Sequence, residues 1–181
     1  MIQTRDDLRA YLEADRAAQP PRCGRALAPL FDPIYRLKTL LRKCEYHRNN
    51  ARGSLWHAAA FAVQRFRFRR IQARLCSEFG FNVFGKGLVI WHGQRGITNG
   101  AARVGDRCSI SSGVVIGQGN GGVPTIGDDV ELMVDSAVIG GVRVADHCRI
   151  GAKALVVRDC DEPDGTWGGG SCSAHLSCGN Y

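Results

Sequence analysis

Residues 126–156 read IGDDVELMVDSAVIGGVRVADHCRIGAKALV, and Ile126, Leu132, Val138, Val144, Ile150 and Val156 take every sixth position of that run. A helix suits this period poorly, because its apolar side chain drifts most of a turn at each step. A short strand followed by a tight corner suits it well. Val104, Ile110 and Ile116 form an upstream series with the same spacing. Four positions after most lattice residues stands a small or β-branched one: Cys108, Val114, Val130, Ser136, Val142, Cys148 and Ala154. Gly105, Gly117, Gly127 and Gly151 directly follow a lattice hydrophobe, where a sharply turning chain benefits from the missing Cβ. Three such sides close a triangular coil, and each inward side chain stacks on its counterpart one coil away.

The lattice breaks twice, and each break reads as four added residues. Leu88 to Thr98 contains Trp91-His92-Gly93-Gln94-Arg95, and Ile116 to Ile126 contains Gly119-Asn120-Gly121-Gly122-Val123-Pro124. Loops on a rigid scaffold are the usual seat of chemistry. The two breaks leave successive corners, so within one chain they point apart and share a cleft only between side-by-side subunits.

Upstream the period is helical. Thr4 and Asp7 form a capping pair for a helix of about 14 residues carrying Leu8, Tyr11 and Leu12, interrupted at Asp15 and closed by Pro20-Pro21. Pro33 starts a second helix with Ile34, Leu37, Leu40 and Leu41, and Ser54 a third that ends by Gly80. Trp56, Ala59, Phe61, Val63, Phe66, Ile71 and Leu75 are expected to be core. The chain therefore divides into a helical segment 1–80, a repeat domain 81–170 and a divergent, flexible tail 171–181.

Charge divides at the same place. Residues 1–80 hold sixteen Lys and Arg against seven Asp and Glu, and residues 81–181 hold eight against ten. The densest stretch, Arg65, Arg67, Arg69, Arg70 and Arg74, is interleaved with Phe66, Phe68 and Ile71. It suits an ordinary solvated helix face, or a surface for phosphate-bearing partners or an anionic membrane. The eight cysteines lack the paired short spacings of a disulfide framework, which points to a reducing cytoplasm. No run reaches the roughly 18 apolar residues of a membrane span, and the first residues have no apolar signal core.

Gly87-Leu88-Val89-Ile90-Trp91-His92, Val104-Gly105-Asp106, Gly119 to Asp128 and Ile150-Gly151-Ala152-Lys153-Ala154 together resemble bacterial serine acetyltransferases of the hexapeptide-repeat type. With Asp7 to Arg16, the likeness is greatest to the branch found in capsule and exopolysaccharide gene clusters, and it covers roughly residues 4–170. The resemblance implies a mainly β fold, a left-handed parallel β-helix behind an α-helical N-terminal segment. It implies homotrimers or dimers of trimers, with acetyl-CoA as co-substrate in the groove between prisms. His92 matches the histidine that deprotonates the acceptor hydroxyl, a role suited to imidazole near neutral pH. Gly117, Gly119, Ala152 and Lys153 match stretches lining the CoA groove, and Lys153 and Arg158 are placed to meet its phosphates.

The chain departs from that pattern in three places. Trp91 stands where the family has an Asp before the histidine, and Gly122-Val123 replaces an Arg-His pair before Pro124. A carboxylate orienting the histidine has no match, Asn82 being the nearest polar candidate. The tail reads Gly170-Ser171-Cys172-Ser173 in place of Gly-x-Pro-Ala. With Trp91, Asn82 and Val123 as acceptor contacts, the expected acceptor is a sugar hydroxyl in polysaccharide biosynthesis. The alternatives are L-serine, as in cysteine biosynthesis, and a non-catalytic trimeric scaffold. The three-histidine zinc site of β-helical carbonic anhydrases is excluded, since only His92 and His147 lie on the coils. Cys172, His175 and Cys178 have ligand-like spacing without a clear fourth, so no metal is expected. No nucleic-acid partner is expected, and membrane association is left open.

Overall fold

The computed structural model describes residues 1–168 and the strand Ser173–Ala174. Cys172, His175 and Cys178 lie outside the described residues. The helices are α1 (Arg5–Ala18), α2 (Gly24–Phe31), α3 (Pro33–Asn50) and α4 (Leu55–Leu75). Short strands follow: β1 (Val89–Ile90), β2 (Ile97–Thr98), β3 (Arg103–Val104), β4 (Ser109–Ile110), β5 (Val115–Gly117) and β6 (Thr125–Ile126). They continue as β7 (Glu131–Leu132), β8 (Ala137–Ile139), β9 (Arg143–Val144), β10 (Arg149–Ile150), β11 (Leu155–Val156), β12 (Thr166–Gly168) and β13 (Ser173–Ala174).

The strands wind into a parallel β-solenoid with three faces. β1, β4, β7, β10 and β12 form the first face, with β13 antiparallel at its end. The second face is β2, β5, β8 and β11, and the third is β3, β6 and β9. Ile90, Ile110, Leu132 and Ile150 stack in register inside the first face, as do Thr98, Ile116, Val138 and Val156 inside the second. These inward residues are buried, so each six-residue step places one side chain in the core.

The first break is smaller than the sequence suggests. Ile90, and not Leu88, pairs with Ile110, so eight residues separate Ile90 from Thr98 and the loop adds two residues to the six-residue step. Leu88 is buried as well, but as the counterpart of Cys108 two positions earlier. The second break does add four.

Corners turn three positions after the lattice hydrophobe, not at the glycines that follow it. Gly87, Arg107, Asp129 and His147 have φ of 78°, 56°, 55° and 59° on one edge, and Gly113, Asp135 and Lys153 have 74°, 56° and 59° on another. Apart from Gly87 in the first coil, each donates its backbone N–H to the coil below, Lys153 to the Val134 carbonyl at 2.9 Å for example, which steadies a conformation that L residues otherwise avoid. Gly105 and Gly127 serve a different need: a Cβ there would lie 2.1 Å from Asp128 Oδ1 and Asp146 Oδ1. Those carboxylates accept backbone N–H groups of Asp106 and Asp128 from the preceding coil, at 2.7 and 2.8 Å.

The helical segment caps the start of the solenoid. Thr4 and Asp7 form the expected capping box of α1, and Asp32 accepts N–H bonds from Ile34 and Tyr35 at the start of α3. α2 was not expected; it has Pro29 inside and no side-chain cap. The expected core of α4 is corrected in part. Phe68 and Ile71 are buried, and Phe61 and Leu75 pack against the core, but Trp56, Ala59, Val63 and Phe66 are exposed. The hairpin with α3 buries only the opposite side of α4.

Asp15, which interrupts the apolar stripe of α1, is a buried anchor. Its carboxylate accepts from Arg42 Nε and from the Leu88 N–H, each at 2.8 Å. Arg42 also donates to Glu45 and to the Phe84 and Gly85 carbonyls, and Lys38 donates to the Asp15 and Leu88 carbonyls at 2.9 Å. Side-chain charge thereby satisfies the backbone of the first coil, which has no coil beneath it.

Candidate active site

His92 lies on the edge between the first and second faces, exposed, without a hydrogen bond among the described residues. Its backbone is held from both sides. The Trp91 N–H donates to the Ile110 carbonyl at 3.0 Å, the Trp91 indole donates to Ser109 Oγ at 3.0 Å, and Arg22 donates to the Trp91 carbonyl at 3.3 Å. Gly93 is buried, and a Cβ on it would lie 2.8 Å from Ile34 Cδ1 of α3 and 3.3 Å from Leu75 Cδ1 of α4. Past it, Arg95 donates its N–H to the Leu75 carbonyl at 3.1 Å, and its guanidinium pairs with Asp135 at 2.9 Å. A free imidazole on a pinned loop can take a proton from a group brought beside it.

Gln19 and Arg22, at and just beyond the end of α1, were missed as supports of this loop. The Gln19 amide pairs with both backbone groups of Ile90, at 2.7 and 3.0 Å, as a neighbouring strand would. With Trp91, Lys38 and Tyr35 they border a cavity of about 190 Å³ beside the loop.

The second loop leaves the edge between the second and third faces. Gly119 and Gly122 exchange backbone hydrogen bonds at 3.0 and 3.2 Å, closing a tight turn with Gly121 at φ 80°. It lies flat on the next coil: Gly141 donates to the Asn120 carbonyl at 3.2 Å, and a Cβ on Gly119 would lie 2.9 Å from Ile139 Cγ2. Val123 is half-buried at its end.

Most of the remaining sequence-derived site residues border the second face. Gly117 ends β5, Ala152 and Lys153 are exposed on the His92 edge, and Arg158 is exposed beyond β11. Three coils separate Lys153 from His92, roughly 14 Å along the axis at the usual strand spacing. Asn82 does not join them. It occupies a left-handed corner, φ 61°, on the second-to-third edge, and its amide is engaged both ways with Asn49 of α3 at 2.9 and 3.1 Å. Asn82 thus joins the helices to the first coil and does not reach the His92 loop.

The second face also differs chemically from its neighbours. Its outward residues Ile97, Val115, Ala137 and Leu155 are apolar, whereas after Val89 the first face presents Ser109, Glu131 and Arg149 outward and the third Arg103, Thr125 and Arg143. A partly exposed apolar strip between the two loops marks a surface that meets something.

No family model matches the chain. Among curated proteins, it is 34% identical over 79 residues to a serine acetyltransferase of Synechococcus elongatus, covering 41% of this chain and 32% of that protein. Over 80 residues it is 36% identical to a serine acetyltransferase of Helicobacter pylori, covering 41% of this chain and 46% of that protein. The matches thus span less than half the length of these relatives. Among solved structures, the serine acetyltransferase of Neisseria gonorrhoeae superposes with a TM-score of 0.69 at 23% identity, covering 96% of this chain and 65% of that one. A soybean serine acetyltransferase complexed with serine gives 0.72 at 21%, covering 93% and 69%. The solenoid with its helical preface is therefore the fold of those structures. Each of the proteins named here is a serine acetyltransferase.

Proposed function

We propose that the chain transfers an acetyl group from acetyl-CoA to a hydroxyl of a small acceptor, L-serine in the first place. The observation that carries this reading is the exposed His92, without a hydrogen bond among the described residues, on a clamped loop at the border of the apolar second face. In the proposed reaction, His92 takes the proton as the acceptor oxygen attacks the thioester carbonyl. The tetrahedral intermediate then collapses, the C–S bond breaks, and the imidazolium returns its proton to the CoA sulfur. Gly117, Gly119, Ala152 and Lys153 offer peptide groups to the pantetheine, and Lys153 and Arg158 offer charge to the phosphates.

The working unit we propose is a homotrimer in the cytoplasm. Each second face packs toward a neighbour, so the His92 loop of one chain meets the Gly119–Pro124 loop of another. The apolar strip supports this, as does the divergence of the two loops within one chain.

A sugar hydroxyl, as in polysaccharide synthesis, is the second reading, and Trp91 favours it. Half exposed at 51%, it offers a ring-stacking surface beside His92, while Val123 supplies no cation for a carboxylate. Incubation with labelled acetyl-CoA and either L-serine or a panel of sugars and sugar nucleotides separates the two. Higher kcat/KM on serine supports the first, and higher kcat/KM on a sugar moves the reading to the second. Absence of both transfer and CoA binding leaves the trimeric scaffold.

A further inference from the structure

Beyond the first residue, the exposed large apolar side chains fall into two groups. Trp91, Ile97, Val134, Leu155 and Val157 lie on or beside the second face. The others are on helices: Leu27, Leu30 and Phe31 on α2, and Leu55, Trp56, Val63 and Phe66 on α4. Trp56, Ala59, Val63, Phe66 and Arg70 recur at three- and four-residue spacing, so they form one stripe, opposite the side of α4 that packs on α3. Pro29 of α2 and Arg67 of α4 line the same cavity of about 170 Å³, so the two helices border a common surface.

Charge on this surface has one sign. From Gly24 to Cys76 the chain carries twelve Lys and Arg, of which Lys38 and Arg42 are buried at the junction with the first coil, and two carboxylates, Asp32 and Glu45. Both carboxylates are buried and hydrogen-bonded. Arg67, Arg69, Arg70 and Arg74 are exposed, and among the described residues none forms an ion pair. Arg70 lies over the Phe66 ring at 5.7 Å.

We infer that this α2–α4 face docks on an anionic lipid bilayer. A second copy of the chain would set arginines against arginines. A nucleic acid would satisfy the cations and leave the apolar stripe in water. A bilayer surface takes both: Trp56, Val63 and Phe66 enter the headgroup–acyl boundary while the arginines reach phosphates at its rim. The 21 residues of α4 give a contact roughly 31 Å long. No helix among the described residues is long and apolar enough to cross, so α4 lies along the membrane.

Sedimentation of the full chain with vesicles of phosphatidylcholine alone, or with three-tenths phosphatidylglycerol, tests this. Binding is expected to the anionic vesicles, with little to the neutral ones, and to fall as salt screens the arginines. R67Q/R70Q/R74Q should weaken it about a hundredfold, whereas R67K/R70K/R74K retains it. W56S/F66S should weaken it about tenfold with unchanged mass in solution. All these side chains are exposed, so unchanged circular dichroism is expected of each variant. Failure of the wild-type chain to bind anionic vesicles at low salt overturns the inference. So does full binding by R67Q/R70Q/R74Q, or a halved mass for W56S/F66S, which assigns the face to a second copy.

Discussion

Arg42 and Asp15 form a two-point ion pair, Nε to Oδ2 at 2.8 Å and Nη2 to Oδ1 at 3.2 Å, with both side chains shut off from solvent. Because Asp15 also holds the Leu88 N–H and Arg42 the Phe84 carbonyl, one pair joins α1, α3 and the first coil. Removing either partner leaves the other charged and buried. Arg42→Ala is therefore expected to destabilise by about 3–5 kcal/mol in denaturant unfolding. If Arg42→Ala unfolds within about 1 kcal/mol of wild type, the pair does not hold the helices to the coil.

Lys38 gives this junction a pH signature. Burial pushes its ammonium down to about 8, against the pull of Asp15. Between about 8 and its ordinary value of 10.5, the unfolded chain holds a proton that the folded chain has released, so this group makes stability rise with pH across that window. The rise is at most about 3 kcal/mol. Subtracting the stability–pH curve of Lys38→Met isolates it, and a flat difference across the window contradicts it.

The glycines of the repeat separate packing from conformation. Gly105→Ala drives a Cβ onto Asp128 Oδ1 and the Gly127 backbone and should cost about 1–3 kcal/mol. Gly117→Ala meets nothing nearer than 3.7 Å and should stay within about 0.5 kcal/mol. Equal melting shifts for the two would argue against the carboxylate ladder.

For the proposed chemistry, His92→Ala should lower kcat about 10²–10⁴-fold with CoA affinity nearly unchanged. The side chain stands outside the inward lattice, so the fold should survive. An active His92→Ala enzyme removes His92 from the mechanism.

Leu155→Asp places a charge on the outward side of the second face. Light scattering should then report a monomer, and acetyl transfer should vanish with the trimer. A Leu155→Asp monomer with full activity would show that one chain holds the whole site.

The solenoid is legible in the sequence because each side contributes one obligatory inward residue, and six residues cannot serve a helix face. Its first register is not, since Leu88 and Ile90 are both apolar and both buried, and period alone does not choose between them. The orientation of α4 was hidden for a related reason. Its apolar residues stand on every side, and only packing against α3 selects Phe61, Phe68, Ile71 and Leu75. In the candidate site, the loop that carries His92 was readable from the broken lattice, and the role proposed for His92 comes from the resemblance of the residues around it. Gln19 and Arg22 were not, because they reach the loop across about seventy positions of chain. Asn82 was read by its proximity in sequence, and its left-handed corner turns it to Asn49 instead.

The contact of Gly93 with Ile34 and Leu75 makes the histidine's bearing a property of two helices. Where no side chain separates a loop from the helices beneath it, nothing cushions their movement, and a shift of α3 or α4 along its axis is delivered undiminished to the neighbouring residue. Reaction geometry tolerates errors of well under an ångström. In the proposed reaction the helical segment is the tuning peg of the loop, and its grip on the first coil sets how sharply His92 is aimed.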